Sequence, residues 1–179
     1  MHIQWLLFTY KVPAEPAAGR VGVWRRLKGM GAVYLQSGVC LLPKTDDHVR
    51  RLKMLENDAA EMGGEAVLLE TVAFDAAQEA KVLDRFHADR DEQYREFIGK
   101  CDAFEVEIAK EFAKGKFTYA ELEEEDADLR KLQGWIEKIR KLDFYDAPLG
   151  LTAAEHLGAC EAALARYAER VFEVQGEGV

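Results

Sequence analysis

The chain has 179 residues, 49% of them hydrophobic and 32% charged, and its 24 basic and 33 acidic groups leave a net charge of −9. That length can bury a core without staples and fits one domain or a domain with an appendage, while the acidic total disfavours wholesale attraction to nucleic acid or anionic membranes. Three widely separated cysteines, Cys40, Cys101 and Cys160, point to reduced thiols in a cytoplasm, and no apolar run reaches the length of a signal-peptide core or a membrane span.

Ile3 to Tyr10 reads as a first strand, apolar on both faces, of the kind that sits centrally in a sheet. After Pro13 and Pro16, the spacing of Val23, Leu27 and Met30 predicts a helix from about Gly19 that Gly29 and Gly31 end. Ala32 to Gln36 and Val39 to Leu42 are short strands joined at Ser37-Gly38, a turn pair suited to a tight hairpin. Thr45 is a good N-cap for a helix running to about Met62, with Asp46 and Asp47 in its first turn, and Ala66 to Val72 is a fourth strand. The order βαββαβ within residues 1–74 predicts a ferredoxin-like domain, so the fold class is α+β.

Residues 75–179 follow a helical pattern, predicted to pack on the sheet or as an antiparallel bundle. Leu83, His87, Arg90, Tyr94, Phe97, Cys101, Phe104 and Ile108 recur in steps of three and four up to a stop at Gly115. A second helix from about Tyr119 places Leu122, Leu129, Leu132, Ile136 and Ile139 on one face behind an acidic start, Glu121 to Asp126. The loop Asp143 to Gly150 precedes a third helix, predicted to be capped at Thr152 and to carry Leu157, Cys160, Leu164, Tyr167 and Val171.

Charge is uneven along the chain. Residues 1–43 hold five basic groups against Glu15 alone, and residues 75–179 hold fifteen basic and twenty-five acidic groups. If the protein binds an anion, the front end is expected to do it, where Arg20, Arg25, Arg26 and Lys28 lie around the first helix. Such a cluster can neutralise phosphates or grip an oxyanion; the same residues also read as a solvated face salt-bridged to acidic helices. His87, Arg90 and Asp91 form a polar group on the first long helix, readable as a partial metal or ligand site or as hydrogen bonds pinning neighbouring segments. No nucleophile signature, phosphate loop or metal motif is present, so neither an enzyme nor a cofactor is expected.

The segments WLLFTYKVPAEP, VWRRLKGMGAVYLQSGVCLLP, HADRDEQYREF and GKFTYAELEE resemble the N-terminal region of chromate-resistance ChrB proteins across nearly the whole chain. The first half is also similar to the ferredoxin-like domain of PaaX-type repressors and of small CRISPR-associated nucleases. The resemblance implies a bacterial regulator, encoded beside a chromate efflux pump, whose N-terminal region binds operator DNA and whose separate C-terminal domain is associated with sensing; a chain ending at Val179 is expected to lack that domain. The nuclease relatives place a metal-binding aspartate at the end of the first strand, where this sequence has Phe8-Thr9-Tyr10, so nuclease chemistry is not expected.

The leading expectation is a cytoplasmic DNA-binding regulator of the ChrB type, acting as a homodimer, with Arg20, Arg25, Arg26 and Lys28 on the phosphates. The alternative is an accessory module that docks a protein partner through its acidic helices. A third reading has chromate or sulfate held by Arg25, Arg26 and Arg90.

Overall fold

A computed structural model of the chain describes residues 1–176. In chain order the elements are β1 (Trp5–Lys11), α1 (Ala17–Met30), β2 (Val33–Gln36), β3 (Val39–Pro43), α2 (Asp46–Glu61), β4 (Glu65–Thr71), α3 (Ala76–Lys114), α4 (Tyr119–Lys141) and α5 (Leu149–Val174). They fall into two compact units, Met1–Phe86 and His87–Val179, with the division inside α3. The α+β class, the βαββαβ order and the three long helices after it are as the sequence predicts.

The first unit is a four-stranded sheet in the order β2-β3-β1-β4, every neighbouring pair antiparallel. β1 is central because both of its faces are apolar. One cross-strand row, Tyr34, Cys40, Phe8 and Leu68, belongs to the face that α1 and α2 cover; the next, Val33, Leu41, Leu7 and Leu69, belongs to the opposite face. On the helix side Leu6, Phe8, Cys40 and Leu42 are buried together with Val23, Leu27 and Met30 of α1 and Leu52, Leu55 and Ala59 of α2. Each such large side chain contributes about 1.5–3 kcal/mol by leaving water. On the other face Trp5, Val33 and Leu41 are buried, whereas Val67 and Leu69 of β4 stay half-exposed.

Local chemistry sets the boundaries. Thr45 caps α2 as predicted, its hydroxyl accepting the His48 N–H at 3.0 Å. Gly38 turns the β2–β3 hairpin at φ 74°, and a Cβ there would lie 2.6 Å from the Tyr10 carbonyl oxygen; only glycine fits. Gly64 lets β4 leave α2 so close to β1 that a Cβ would lie 2.3 Å from the Lys11 carbonyl oxygen.

The second unit packs α3 from His87 onward with α4 and α5. Its core takes Tyr94, Phe97, Cys101, Phe104 and Ile108 from α3, Leu129, Leu132, Ile136 and Ile139 from α4, and Leu157, Cys160, Leu164, Tyr167 and Val171 from α5. These are the residues that the three-and-four spacing singles out. Phe97 meets the Trp135 ring edge-on at 5.6 Å, and Thr118 caps α4 by accepting the Glu121 N–H. The expected cap at Thr152 is corrected: α5 starts at Leu149, directly after Pro148. Pro148 has no N–H to satisfy, and the Leu149 N–H donates to the Asp91 carboxylate of α3 at 2.9 Å. A carboxylate from another helix thus serves the positive end of α5, one turn before the hydroxyl that local sequence suggests.

Candidate nucleic-acid interface

The basic residues of α1 separate once the helix is built. Val23, Leu27 and Met30 turn inward, which leaves Arg20, Trp24 and Lys28, at steps of four, as a stripe along one flank. Arg20 and Trp24 line a cavity of about 820 Å³ with Lys11 at the end of β1, Tyr34 of β2, the Ser37-Gly38 turn and Arg85 from α3. The Lys28 ammonium sits 5.9 Å from the centre of the Tyr34 ring, a cation–π distance. Arg25 is exposed. Arg26 points elsewhere, pairing with Asp58 of α2 at 2.5 Å; both partners are well exposed, so the pair contributes little to stability but occupies the guanidinium.

Hydrogen bonds fix the cavity walls. The Tyr10 and Tyr34 hydroxyls are 2.8 Å apart, the Arg85 guanidinium donates to the Tyr34 carbonyl at 3.0 Å, and the Tyr10 N–H donates to the Gly38 carbonyl at 2.8 Å. Burial, and then the bond to Tyr10, pushes the Tyr34 phenol well above its ordinary range, so this phenol stays neutral at physiological pH. The buried Cys40 thiol is pushed up to about 12 by desolvation and is unreactive. Three cations line the cavity and no carboxylate does. The arrangement can hold an anion.

Sequence reasoning found Arg20 and Lys28 but missed Trp24, Tyr34, Lys11 and Arg85. The four-residue steps Arg20, Trp24, Lys28 are legible in the chain. Arg85 is not, because only the tertiary fold brings it to Tyr34.

In the second unit, His87, Arg90 and Asp91 gather around the loop Asp143–Gly150. The His87 ring nitrogen Nε2 is 2.8 Å from the Tyr145 carbonyl, and Asp91 takes the Leu149 N–H. Asp143 accepts the Tyr94 hydroxyl at 2.8 Å and the Ala147 N–H at 2.9 Å. Arg90 is 5% exposed; burial pulls its pKa down, and Asp89, Asp143 and Tyr94 oppose that shift. His87 and Asp91 thus hold the loop, while the buried Arg90 Nη1 makes no hydrogen bond. Among the described residues no cluster of His, Cys, Asp or Glu has the makings of a metal site, and no helix is long and apolar enough to cross a membrane.

The family model for the N-terminal part of protein ChrB matches residues 20–178. The chain belongs to the ChrB N-terminal family. Protein ChrB of Cupriavidus metallidurans is 30% identical over 141 residues, which cover 79% of this chain and 40% of that protein. The ChrB match begins at Arg20, so the α1 stripe, Tyr34 and Arg85 lie inside it, while Tyr10 and Lys11 precede it.

Proposed function

We propose that this chain is the DNA-binding part of a ChrB-type transcriptional regulator of chromate resistance, cytoplasmic and without catalytic activity. The observation that carries the reading is the run of cations around α1, Arg20, Arg25 and Lys28, extended by Lys11 and Arg85, with no carboxylate in the cavity that Lys11, Arg20 and Arg85 line. Charge supports it further. The first unit has eleven basic and eleven acidic residues, so its own net charge is zero and the whole −9 falls on the second. A local positive surface on a neutral unit can meet a duplex backbone without the repulsion that the chain's total suggests.

The test is fluorescence anisotropy of a labelled duplex from upstream of the gene, beside a scrambled duplex, at several salt concentrations. The regulator reading expects preference for the native duplex and a steep loss with salt, since each phosphate contact contributes about 0.9 to the logarithmic slope. Arg25→Gln/Lys28→Gln should lower that slope by about 2 and weaken binding roughly tenfold at moderate salt. Absence of binding at low ionic strength would overturn it.

We also propose a homodimer through β4. This edge strand runs seven residues in unbroken register with β1 and leaves Val67 and Leu69 half-exposed, whereas the opposite edge, β2, is four residues long and irregular. Long regular edges are templates for pairing; short bulged ones are protected. Sedimentation velocity at micromolar concentration is expected to give a dimer that Leu69→Lys converts to monomer, and a monomeric parent protein would dispose of the idea.

A second reading, partner docking through the acidic helices, is favoured by a groove of about 540 Å³ between α4 and α5. Leu122, Leu129 and Leu164 form its floor and Glu123, Asp126 and Glu161 its rim. Those residues suit a basic amphipathic helix. This reading expects no salt-sensitive duplex binding, so the anisotropy titration separates the two.

A further inference from the structure

The cavity beside α1 has features that contacts to a duplex backbone leave unused. Its volume, about 820 Å³, lies within the roughly 300–1,000 Å³ of small-molecule sites. Trp24, half-exposed, lines it with its indole ring, and Tyr34 and Leu35 continue the apolar wall. Lys11, Arg20 and Arg85 bring positive charge from three different elements, and neither Lys11 nor Arg20 has an ion-pair partner among the described residues. Arg85 is held in place through its bond to the Tyr34 carbonyl.

An inorganic oxyanion would satisfy the cations but leave most of the cavity, and the Trp24 ring, in water. A paired duplex would satisfy the cations too, but its bases are stacked inward and cannot lie on a side-chain ring. An uncharged aromatic molecule would use Trp24 and leave three cations unmatched. What uses every wall is a flat ring joined to a phosphate at short range.

We propose that this cavity binds a nucleoside monophosphate unit, its base against Trp24 and its phosphate held by Arg20 and Arg85. Two sources supply that chemistry: a free nucleotide, or an unpaired nucleotide within a single strand. Base stacking on an exposed aromatic ring together with a basic groove is the general means of holding single-stranded nucleic acid, and bidentate guanidinium contacts hold a terminal phosphate equally well. The proposal does not rest on the regulator reading, because the site is complete within the first unit and needs no duplex.

The test is isothermal calorimetry of the whole chain with thymidine monophosphate, thymidine, inorganic phosphate and a short oligothymidylate. Saturable binding of the monophosphate is expected, at least about tenfold tighter than thymidine or phosphate alone. Arg20→Gln, Arg85→Gln and Trp24→Leu should each weaken it about tenfold, while Arg25→Gln/Lys28→Gln, which weakens duplex binding, should not. The oligomer arm names the source: much tighter binding than the monophosphate assigns a strand, equal binding a free nucleotide. All five residues changed are exposed or, for Lys28, partly so, and matching melting curves exclude misfolding as the cause of a loss. Failure of both monophosphate and oligomer to bind at low-millimolar concentration, binding of thymidine or phosphate as tight as the monophosphate, or indifference to all three single variants would overturn the proposal and leave the duplex reading untouched.

Discussion

Replacing Glu125 by glutamine is expected to stabilise the second unit by about 2 kcal/mol above roughly pH 8 and to change nothing near pH 4. Glu125 is 5% exposed, and its carboxyl is pushed up to about 7, chiefly by burial and then by Asp128, Glu107, Glu124 and Glu111. Two helices thus aim acids at it, Glu107 and Glu111 from α3 and its own neighbours on α4; from α5 the nearby titratable group is the Tyr167 phenol, whose pKa burial raises and Glu111, Glu121 and Glu125 raise further. Glu111, 3% exposed, leaves one carboxylate oxygen without a hydrogen bond, and its other oxygen takes the exposed Lys114 ammonium at 3.3 Å. Unfolded, the Glu125 carboxyl loses its proton near its ordinary value of 4.5. Between that pH and about 7 the folded state keeps a proton that the unfolded state has lost, so stability falls as pH rises through this window and the full penalty stands above it. The shift alone would correspond to about 3 kcal/mol; solvent near the α4 acids reduces that to about 2. Glutamine cannot ionise and escapes the penalty. Urea denaturation of both proteins at the two pH values decides the matter: an equal loss of stability at both would mean that the site needs the carboxyl group whatever its charge, and that ionisation of Glu125 carries no penalty.

Asp143→Ala should cost the second unit about 3 kcal/mol, because it removes a counter-charge from a buried guanidinium. Burial pulls the Arg90 pKa down, and Asp89, Asp143 and Tyr94 oppose that pull. Asp143 also takes the Tyr94 hydroxyl and the Ala147 N–H, so one carboxylate organises a loop that otherwise turns through Asp146 at φ 53°. Tyr94→Phe removes one of those bonds and leaves the charge arrangement intact; about 1 kcal/mol is expected. The pair of variants separates loop anchoring from simple hydrogen-bond loss in a denaturant titration. If Asp143→Ala falls within about 0.5 kcal/mol of the parent protein, Arg90 does not depend on it, and the ligand-site reading of His87, Arg90 and Asp91 gains ground.

The two halves were unequally legible in the sequence. Periodicity found the strands and helices because each is decided by residues close together in the chain: Thr45 before Asp46 and Asp47, Gly38 in the hairpin, the three-and-four seam from Tyr94 to Ile108. The start of α5 escaped because its cap, Asp91, comes from a helix 58 residues earlier, while Thr152 carries every local sign of an N-cap. The candidate site was half visible for the same reason. Arg20 and Lys28 announce themselves by charge, but the pairing of Arg26 with Asp58 and the arrival of Arg85 at Tyr34 are tertiary facts. In the His87 group, nothing local says that Arg90 is 5% exposed or that His87 and Asp91 reach the loop Asp143–Gly150, some 58 residues away.

The distribution of sulfur makes the molecule its own gauge of opening. Cys40 is buried in the first unit, Cys101 and Cys160 in the second, each with a thiol pKa raised by desolvation. A thiol reagent cannot touch any of them until the surrounding structure opens, so the labelling rate at each site follows the population of the open form. Digestion and mass spectrometry assign each label to its cysteine, and the two units can therefore be weighed separately within one uncut chain.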